Sequence, residues 1–399
     1  MKYVGVDIGK LKHAASAIDE GGACVMEPRF FTQDTGGLAS LCGSLEQLGG
    51  PRSVIIGMEA TGHYWKVARH VLVERGYRVD VINPLITSHE AAADVRGRKS
   101  DKIDSLSIAS VIRKGGYSPA PIDDPDNAAL KSLTRHRRAL VQRRTDAKLR
   151  LTSALDVAFP EVTKALADIF GAAALNVIKA FPSARLAAKA NIRTLTSLFS
   201  KHSNHTLGRE EALAYREAAQ KSLSLSMFNE GEEFIIRQTI DELLYIDAQI
   251  NEVEKRIKEL PQPYVATLLR SIRGAGAIQP MAIAAELGDM ARFSGKDMAK
   301  KILAYAGCEP RIRESGKWRG KTKISKRGSR PLRNALYVMA GTIRLHTPYF
   351  NAIYKKHTAK GEHHDVAMTH VIRKIVEVMC GMYKSDSLFI SPPIESEAC

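Results

Sequence analysis

Four carboxylates in the sequence have the type and spacing that metal-dependent chemistry on a phosphate requires. Asp7 interrupts an apolar, strand-like run, and Glu59 closes a second run of the same kind. Burying a carboxylate is costly unless donors or a cation compensate, so both positions indicate a ligand. Asp101 and Asp104 are spaced i, i+3, which places them on one face of a helix that starts there. Oxygen ligands of this kind suit one or two Mg²⁺ ions, which would stabilise the attacking and leaving oxygens.

Each of these acids also has a structural interpretation. Asp101 could interact with the helix dipole, and Asp104 could be an exposed helical residue. A strand followed by Asp-x-Gly, as at Asp7 and Gly9, also opens sugar kinases and actin-like ATPases. That class requires a second glycine-rich phosphate loop and an adenosine motif, and neither occurs later in the sequence. ATP binding is therefore the more distant expectation.

A strongly basic segment later in the chain contains candidate nucleophiles. Residues 311–333 carry ten Lys or Arg side chains and one acid, for a net charge of +9, and include Ser315 and Ser325. A serine among cations could attack a phosphodiester, because the cations stabilise the negative charge of the transition state. No histidine lies close in sequence to act as the base, and a turn serine is the structural alternative. The residues expected to hold nucleic-acid phosphates here are Arg313, Lys317, Arg319, Lys326 and Arg327.

A glycine-rich turn between two helical patterns forms a further candidate nucleic-acid contact. Arg273, Gly274 and Gly276 lie in this turn, and the pattern is typical of a helix-hairpin-helix. Such a turn lets backbone N–H groups at a helix N-terminus approach a DNA phosphate. An ordinary tight turn between helices is the alternative.

The positive charge of the protein is concentrated in two segments. The 399 residues include 59 Lys or Arg and 43 Asp or Glu, for a net charge of +16. Residues 131–150 carry eight Lys or Arg and one acid, for +7, so this segment and residues 311–333 account for the whole excess. Basic stripes of this kind are typical of binding to a phosphate backbone, DNA or RNA, whereas the structural alternative is a solvated helix face.

The elements that must position these residues are predicted from apolar periodicity. Strands alternate with helices up to about residue 120, which indicates an α/β sheet domain. Residues 121–262 are almost entirely helical in pattern, and the last helix spaces its apolar residues by threes and fours between Ile236 and Leu260. That spacing predicts either a coiled-coil seam or a helix packed on its own domain. We therefore expect three domains, 1–120, 121–262 and 263–399.

Other features of the sequence exclude several classes of protein. The five cysteines form no CxxC pair, which argues against a disulfide framework or a cysteine zinc site and favours a reducing cytoplasm. No apolar run approaches the ~18 residues of a membrane span, and we expect no signal peptide and no membrane partner. His363, His364 and His370 are interpreted as structural or DNA-facing residues rather than metal ligands.

Together the motifs occur in the order found in a known family. The N-terminal motifs are Val4–Lys10, Met58–Trp65 and Lys99–Asp104. The C-terminal motifs are Arg273–Gly276, Arg292–Ser294, Gly307–Pro310, Glu314–Gly316, Ile324–Gly328 and Leu332–Arg333. With this set the chain resembles, over nearly its full length, the DEDD transposases of bacterial insertion sequences. That group includes Piv-type DNA invertases and bridge-RNA-guided recombinases. The departure is mild: Cys308 stands where the family usually has leucine, which affects packing more than chemistry.

The resemblance implies an architecture and a set of metal ligands. The N-terminal domain would be RuvC-like, with an RNase H-type sheet, and its four acids would be Asp7, Glu59, Asp101 and Asp104, holding Mg²⁺. A helical coiled-coil linker would lead to a mostly helical C-terminal transposase domain with a helix-hairpin-helix-like motif. The fold class is thus expected to be α/β plus α.

The resemblance also implies a reaction and its partners. The nucleophile would be Ser315, with Ser325 as its competitor, and it would form a covalent phosphoserine with DNA. The acids would complete a composite site between protomers of a homodimer or tetramer, and a structured guide RNA would direct the reaction. We expect a cytoplasmic, nucleoid-associated transposase that moves its own insertion sequence. The alternatives are a RuvC-like nuclease or junction resolvase without a covalent intermediate, and a non-catalytic nucleic-acid scaffold.

Overall fold

The protein divides into two compact units, which are described separately. They comprise Met1–Ile122 and Asp123–Cys399. The structure is a computed structural model that describes residues 1–60, 62–84, 86–87, 101–117, 124–227, 230–311, 314–315, 318–319 and 323–392. Within those ranges, no helix combines the length and the apolar character that crossing a membrane requires.

The N-terminal unit is built on a mixed five-stranded sheet. Its elements are β1 (Lys2–Asp7), β2 (Lys12–Ile18), β3 (Cys24–Thr32), α1 (Thr35–Gln47), β4 (Val54–Glu59), α2 (Trp65–Glu74), β5 (Arg78–Ile82) and α3 (Asp101–Lys114). The strand order is β3-β2-β1-β4-β5. The pairs β1–β2 and β2–β3 are antiparallel, whereas β1–β4 and β4–β5 are parallel. This α/β sheet is consistent with the RNase H-like domain that the resemblance implies.

Alternation along the strands divides the sheet into two faces with different helices. Val4, Val6 and Ile56 belong to the larger core beneath α1 and α2. The opposite face carries Gly5 and Gly57, which are register partners in β1 and β4. A Cβ atom at Gly5 would lie 1.9 Å from the Ser105 carbonyl oxygen, and one at Gly57 would lie 1.9 Å from Ile112 Cδ1. These two glycines therefore allow α3 to lie directly against the centre of the sheet.

The C-terminal unit is mostly helical. Its helices are α4 (Pro125–Ala158), α5 (Val162–Ala165), α6 (Ala172–Ala180), α7 (Ala184–Lys189), α8 (Ile192–His202), α9 (Arg209–Gln220), α10 (Glu230–Glu259), α11 (Tyr264–Arg270), α12 (Ile278–Leu287), α13 (Met298–Ala306), α14 (Arg330–His346), α15 (Pro348–Ala359) and α16 (His364–Ser385). Four two-residue strands, β6 (Pro310–Arg311), β7 (Glu314–Ser315), β8 (Trp318–Arg319) and β9 (Lys323–Ile324), lie in the basic segment. They form two antiparallel pairs, β6–β9 and β7–β8. The sequence pattern did not predict these strands.

The two longest helices of this unit, α4 and α10, pack against each other. Three ion pairs join them, Arg137–Glu254, Arg144–Asp247 and Arg150–Glu242. The residue numbers of the paired arginines rise along α4 while those of the paired acids fall along α10, so the two helices run antiparallel. Most of the periodic apolar residues of α10, from Ile236 to Ile257, are buried. The apolar seam predicted from the sequence is thus covered within the chain, by α4 and by residues of α6 to α9.

The α4–α10 pair connects two separate hydrophobic cores. One core contains Leu151 of α4 and Ile240 of α10 together with residues of α6 to α9. The other contains Leu130 and Ile257 together with residues of α11 to α16. Both cores lie within the single unit that begins at Asp123. The division into 121–262 and 263–399 stays a prediction.

Candidate active site and nucleic-acid interface

Three of the four predicted acids lie on the same face of the N-terminal sheet. Asp7 ends β1 and Glu59 ends β4, so both lie at the carboxyl ends of adjacent parallel strands. Each is two residues beyond a glycine that faces α3, and side chains alternate along a strand, so both point to the α3 face. Asp104 lies in the first turn of α3, directly before Ser105, whose carbonyl oxygen packs against Gly5.

Local hydrogen bonds hold the elements that carry these acids. Thr87 Oγ1 donates a hydrogen bond of 2.9 Å to Glu59 Oε2, and Thr87 is almost fully buried. The buried hydroxyls of Ser16 and Ser105 are 3.0 Å apart, which joins the start of α3 to β2. Asp101 is the first residue of α3, but its side chain lies outside the described part of the structure.

The donor set suits a divalent cation. Asp7, Glu59 and Asp104 offer only carboxylate oxygens, which are the ligands that hard cations prefer. In the described part of the chain, the one group of three ligand atoms that all lie within 4.8 Å of one another is found elsewhere, in the C-terminal unit. The three acids therefore share a face without forming a closed set of ligands. Together with Asp101, they are the residues predicted to hold a metal in this unit.

His13 of β2 supports the turn that follows Asp7 and was not predicted from the sequence. Its Nδ1 atom accepts a hydrogen bond of 3.1 Å from the Gly9 N–H group. The ring is buried and packs against Phe31. Burial lowers the pKa of His13, an effect that the Gln33 side chain partly opposes. The available sequence signal was a histidine among the small and apolar residues of β2, which also contains Ser16.

The basic segment places its two candidate serines in different settings. Ser315 is in β7 and is the register partner of Trp318 in the antiparallel strand β8. Ser325 follows β9, and its Oγ atom accepts a hydrogen bond of 3.3 Å from the Arg327 N–H group, as turn serines do. Lys326 has a left-handed backbone, with φ 54°, and is exposed together with Arg327. Arg313 and Lys317 lie outside the described residues, and Arg319 is described only as a strand residue.

The glycine-rich turn joins α11 to α12, an arrangement that fits both a helix-hairpin-helix and an ordinary tight turn. Both glycines have positive φ, 93° at Gly274 and 72° at Gly276. A Cβ atom at Gly274 would lie 2.9 Å from the Thr342 carbonyl oxygen of α14, whereas one at Gly276 would meet nothing within 4 Å. The Arg273 carbonyl accepts a hydrogen bond of 2.7 Å from Thr347. Gly274 therefore serves packing against α14, and Gly276 is the glycine open to a ligand.

Much of the positive charge of residues 131–150 is neutralised inside the C-terminal unit. Arg137, Arg144 and Arg150 pair with acids of α10. Arg135 forms a bidentate ion pair with Glu286 of α12, with N–O distances of 2.6 Å and 3.0 Å. Only part of this segment is therefore available to nucleic acid, which corrects the interpretation of the whole segment as a binding surface.

Arg138 of this segment is half-buried and forms no hydrogen bond or ion pair among the described residues. It lines a cleft of about 280 Å³ between α4, α12 and α14, which we call the Arg138 cleft. Burial lowers the pKa of Arg138, and so do the nearby cations Arg330 and Arg333, while Glu286 opposes them. Like charges converging on a cleft with one carboxylate suit an anionic ligand. Sequence spacing gave no sign that α4 and α14 would meet.

Glu286 organises one side of this cleft. Its side chain is almost fully buried, and besides Arg135 it accepts a hydrogen bond of 3.0 Å from Ser329 Oγ. The Ser329 hydroxyl also accepts from the Leu332 N–H group and so caps α14. The end of the basic segment is thus tied to α4 and α12 through one carboxylate.

Known proteins are similar to this chain both in the region of the four acids and in the region of the basic segment. A transposase family model matches residues 4–160, which include the four acids, and a model of the transposase IS116/IS110/IS902 family matches residues 266–355, which include Ser315. The chain is 25% identical to the insertion element IS116 uncharacterized 44.8 kDa protein of Streptomyces clavuligerus, over 99% of this chain and 98% of that protein. It is 23% identical to the pilin gene-inverting protein of Moraxella lacunata, over 97% of both chains. The chain belongs to the IS110/IS116 family of transposases and is an enzyme that transposes or recombines DNA.

Proposed function

We propose that the protein is a site-specific recombinase that excises and inserts its own insertion sequence through a serine–DNA intermediate. The observation that supports this most is the shared face of Asp7, Glu59 and Asp104 in a chain whose second family match contains a basic serine segment. Inversion of a DNA segment, the activity in the name of the Moraxella relative, is the same class of strand exchange.

Ser315 is the nucleophile in this proposal. Its Oγ atom forms a bond to phosphorus while the bond from phosphorus to a deoxyribose oxygen breaks. The serine gives up one proton and the departing hydroxyl gains one. Because one phosphodiester bond replaces another, the bond energy is kept for rejoining the strands. Arg313, Lys317 and Arg319 are proposed to hold the phosphate, because cations stabilise the charge that develops on it.

The four acids, Asp7, Glu59, Asp101 and Asp104, are proposed to bind Mg²⁺. Bound Mg²⁺ supplies charge stabilisation to the phosphoryl oxygens and to the leaving group. The acids themselves orient that charge from one sheet face, and Thr87 restricts the orientation of Glu59. They would complete the site across protomers of a homodimer or tetramer.

Nucleic-acid contacts are assigned to the open parts of the C-terminal unit. Arg273, Gly276, Lys326 and Arg327 are proposed DNA contacts, and Gly274 is reassigned to packing. A structured guide RNA is the proposed specificity partner, on the strength of the resemblance. A discrete RNA species that co-purifies with the protein would support this partner, and bulk cellular RNA would count against it.

The covalent intermediate is tested by trapping it on a DNA substrate carrying a nick beside the cleavage site. We expect Ser315→Ala to abolish the protein–DNA adduct seen on a denaturing gel, while Ser325→Ala, which removes a turn hydroxyl, retains it. An adduct that persists in Ser315→Ala would overturn the assignment. Free DNA ends without any adduct in the natural protein would favour the alternative, a metal-dependent RuvC-like nuclease or junction resolvase.

A further inference from the structure

Two histidines and one glutamate come together where α15 turns into α16. His357 lies in the last turn of α15, Glu362 in the connection and His370 in the second turn of α16. Glu362 Oε2 is 3.0 Å from His357 Nδ1 and 3.6 Å from His370 Nε2. One ligand atom from each residue lies within 4.8 Å of both others. The three side chains remain 18%, 31% and 39% exposed for His357, Glu362 and His370, so the cluster is reachable from solvent.

We propose that His357, Glu362 and His370 form a second divalent-cation site, suited to Zn²⁺ and separate from the carboxylate site of the N-terminal unit. Two imidazoles and one carboxylate are a common protein ligand set for zinc, with water in the fourth position. The site would tie the end of α15 to α16. It rests on none of the residues to which the recombination reaction is assigned.

The distances fit a tetrahedral ion. Zinc bonds to nitrogen or oxygen are about 2.0–2.1 Å, so two ligand atoms at a tetrahedral angle lie ~3.3 Å apart. The two nitrogen–oxygen separations of the cluster, 3.0 Å and 3.6 Å, lie on either side of that value. The backbone of the α15–α16 turn therefore brings the three side chains within reach of one ion.

One adjustment of the rings is needed. The imidazoles of His357 and His370 are stacked, with centroids 3.6 Å apart and an angle of 8° between their planes. A metal lies in the plane of each ring that binds it, and two parallel planes have no common point. One ring must therefore rotate about χ2, a torsion with a broad energy minimum in histidine. The partial exposure of His370 leaves room for this rotation.

The surroundings of His370 favour its neutral imidazole. Burial lowers the pKa of His370, and the His357 ring, Arg373 and Lys360 lower it further, while Glu362 opposes them. A neutral imidazole has the free nitrogen lone pair that a metal needs. Arg373 and Lys360 also repel a metal cation, so zinc is expected to bind more weakly here than in a site lined only by acids.

The test uses the full chain, freed of metal by a chelator and kept in excess Mg²⁺ so that the carboxylates of the N-terminal unit are occupied. Zinc chloride is titrated by calorimetry, and Co²⁺ is substituted to observe the strong visible bands of a tetrahedral site with nitrogen ligands. We expect one equivalent of Zn²⁺ and a rise in the melting temperature. Both are expected to be lost in Glu362→Gln, which can still accept hydrogen bonds from the histidines.

His363→Asn is the matched control, because it removes a histidine from the same turn and keeps an acceptor for the Asp365 N–H group that His363 caps. This control should bind zinc as the natural protein does. Equal zinc binding by the natural protein and by Glu362→Gln would overturn the proposal. So would the absence of any zinc-dependent band or melting shift, since the cluster would then be a set of hydrogen bonds from two imidazoles to one carboxylate. A His370→Asn variant provides a second check if Glu362→Gln alters folding.

Discussion

At the scale of single residues, the hydrogen bonds around a predicted metal-binding carboxylate are as informative as the carboxylate itself. His13 accepts a hydrogen bond from Gly9, two residues after Asp7, and so fixes the turn through which β1 passes into β2.

Cys308 is an example of a residue that serves packing rather than a site. It is buried in the core of the C-terminal unit, and burial raises the pKa of its thiol to about 11. A buried thiol with a raised pKa is unreactive, so Cys308 serves packing.

Replacing His13 separates the hydrogen bond from the packing. His13→Leu leaves the Gly9 N–H group without its acceptor, which costs about 1–3 kcal/mol, and its amide should exchange with solvent about tenfold to a hundredfold faster. His13→Asn keeps an acceptor at the position of Nδ1 and should largely retain the protection. Hydrogen exchange read at Gly9 measures this, and equal protection in the two variants would refute the role of His13.

The same residue gives a pH dependence with a definite sign. The pKa of His13 is lowered in the folded protein, and the unfolded chain titrates near its ordinary value of about 6.5. The unfolded state therefore takes up the proton more readily, so the stability contributed by neutral His13 is complete above about pH 6.5 and is lost below it. The urea midpoint should fall further between about pH 7.5 and about pH 5.5 in the natural protein than in His13→Asn.

At the scale of elements, the acidic face depends on how closely α3 approaches β1. Gly5→Ala would place a Cβ atom 1.9 Å from the Ser105 carbonyl oxygen, and the helix would have to move away from the sheet. Overpacking of this kind costs about 1–3 kcal/mol. Because Asp7 and Asp104 lie on the two displaced elements, we expect DNA strand transfer to fall together with stability.

Gly43→Ala is the matched change for this prediction. Gly43 lies within α1, and a Cβ atom there would meet nothing within 4 Å. Alanine is favoured over glycine in a helix by about 1 kcal/mol, so this variant should be slightly more stable and fully active. Thermal unfolding of the two variants decides the matter, and a loss of stability of the same size in both would contradict the argument.

At the scale of the whole molecule, net charge is a poor guide to where nucleic acid binds. Four of the eight cations of residues 131–150 pair with acids of α10 and α12, and Arg138 lines a cleft within electrostatic reach of Arg330 and Arg333. We therefore expect the Arg138 cleft, rather than the length of α4, to hold a backbone phosphate.

The salt dependence of binding measures this contact. Arg138→Gln should reduce the slope of log affinity against log salt concentration by about 0.9 for duplex DNA, or about 0.7 for a single strand, because one phosphate contact is lost. Arg143→Gln removes the same charge from an exposed position of α4 and should leave the slope nearly unchanged. Running DNA and RNA in parallel shows which of them occupies the cleft. Identical slopes for the two variants would exclude a phosphate at Arg138.

Several parts of this architecture were predictable because their causes are local. The acids Asp7 and Glu59 stand out because a carboxylate is anomalous in an apolar strand, and the sheet domain follows from short apolar runs that alternate with helical patterns. The α11–α12 hairpin follows from its two glycines, which adopt positive φ. The short strands β6 to β9 were not predictable, since a run of cations masks the alternation on which strand prediction depends.

The sequence by itself determined which residue types are available: the acids, the serines, the glycine turn and the two basic segments. Only the tertiary structure decided which of them act together. It brought Asp104 of α3 to the face of Asp7 and Glu59, paired most arginines of α4 with acids far along the chain, and left Arg138 beside α14. It also joined His370 to His357 and Glu362, whereas the sequence grouped it with His363 and His364. The physical reason is that charge and hydrogen-bond partners depend on distance in space, which helix packing sets and sequence separation does not.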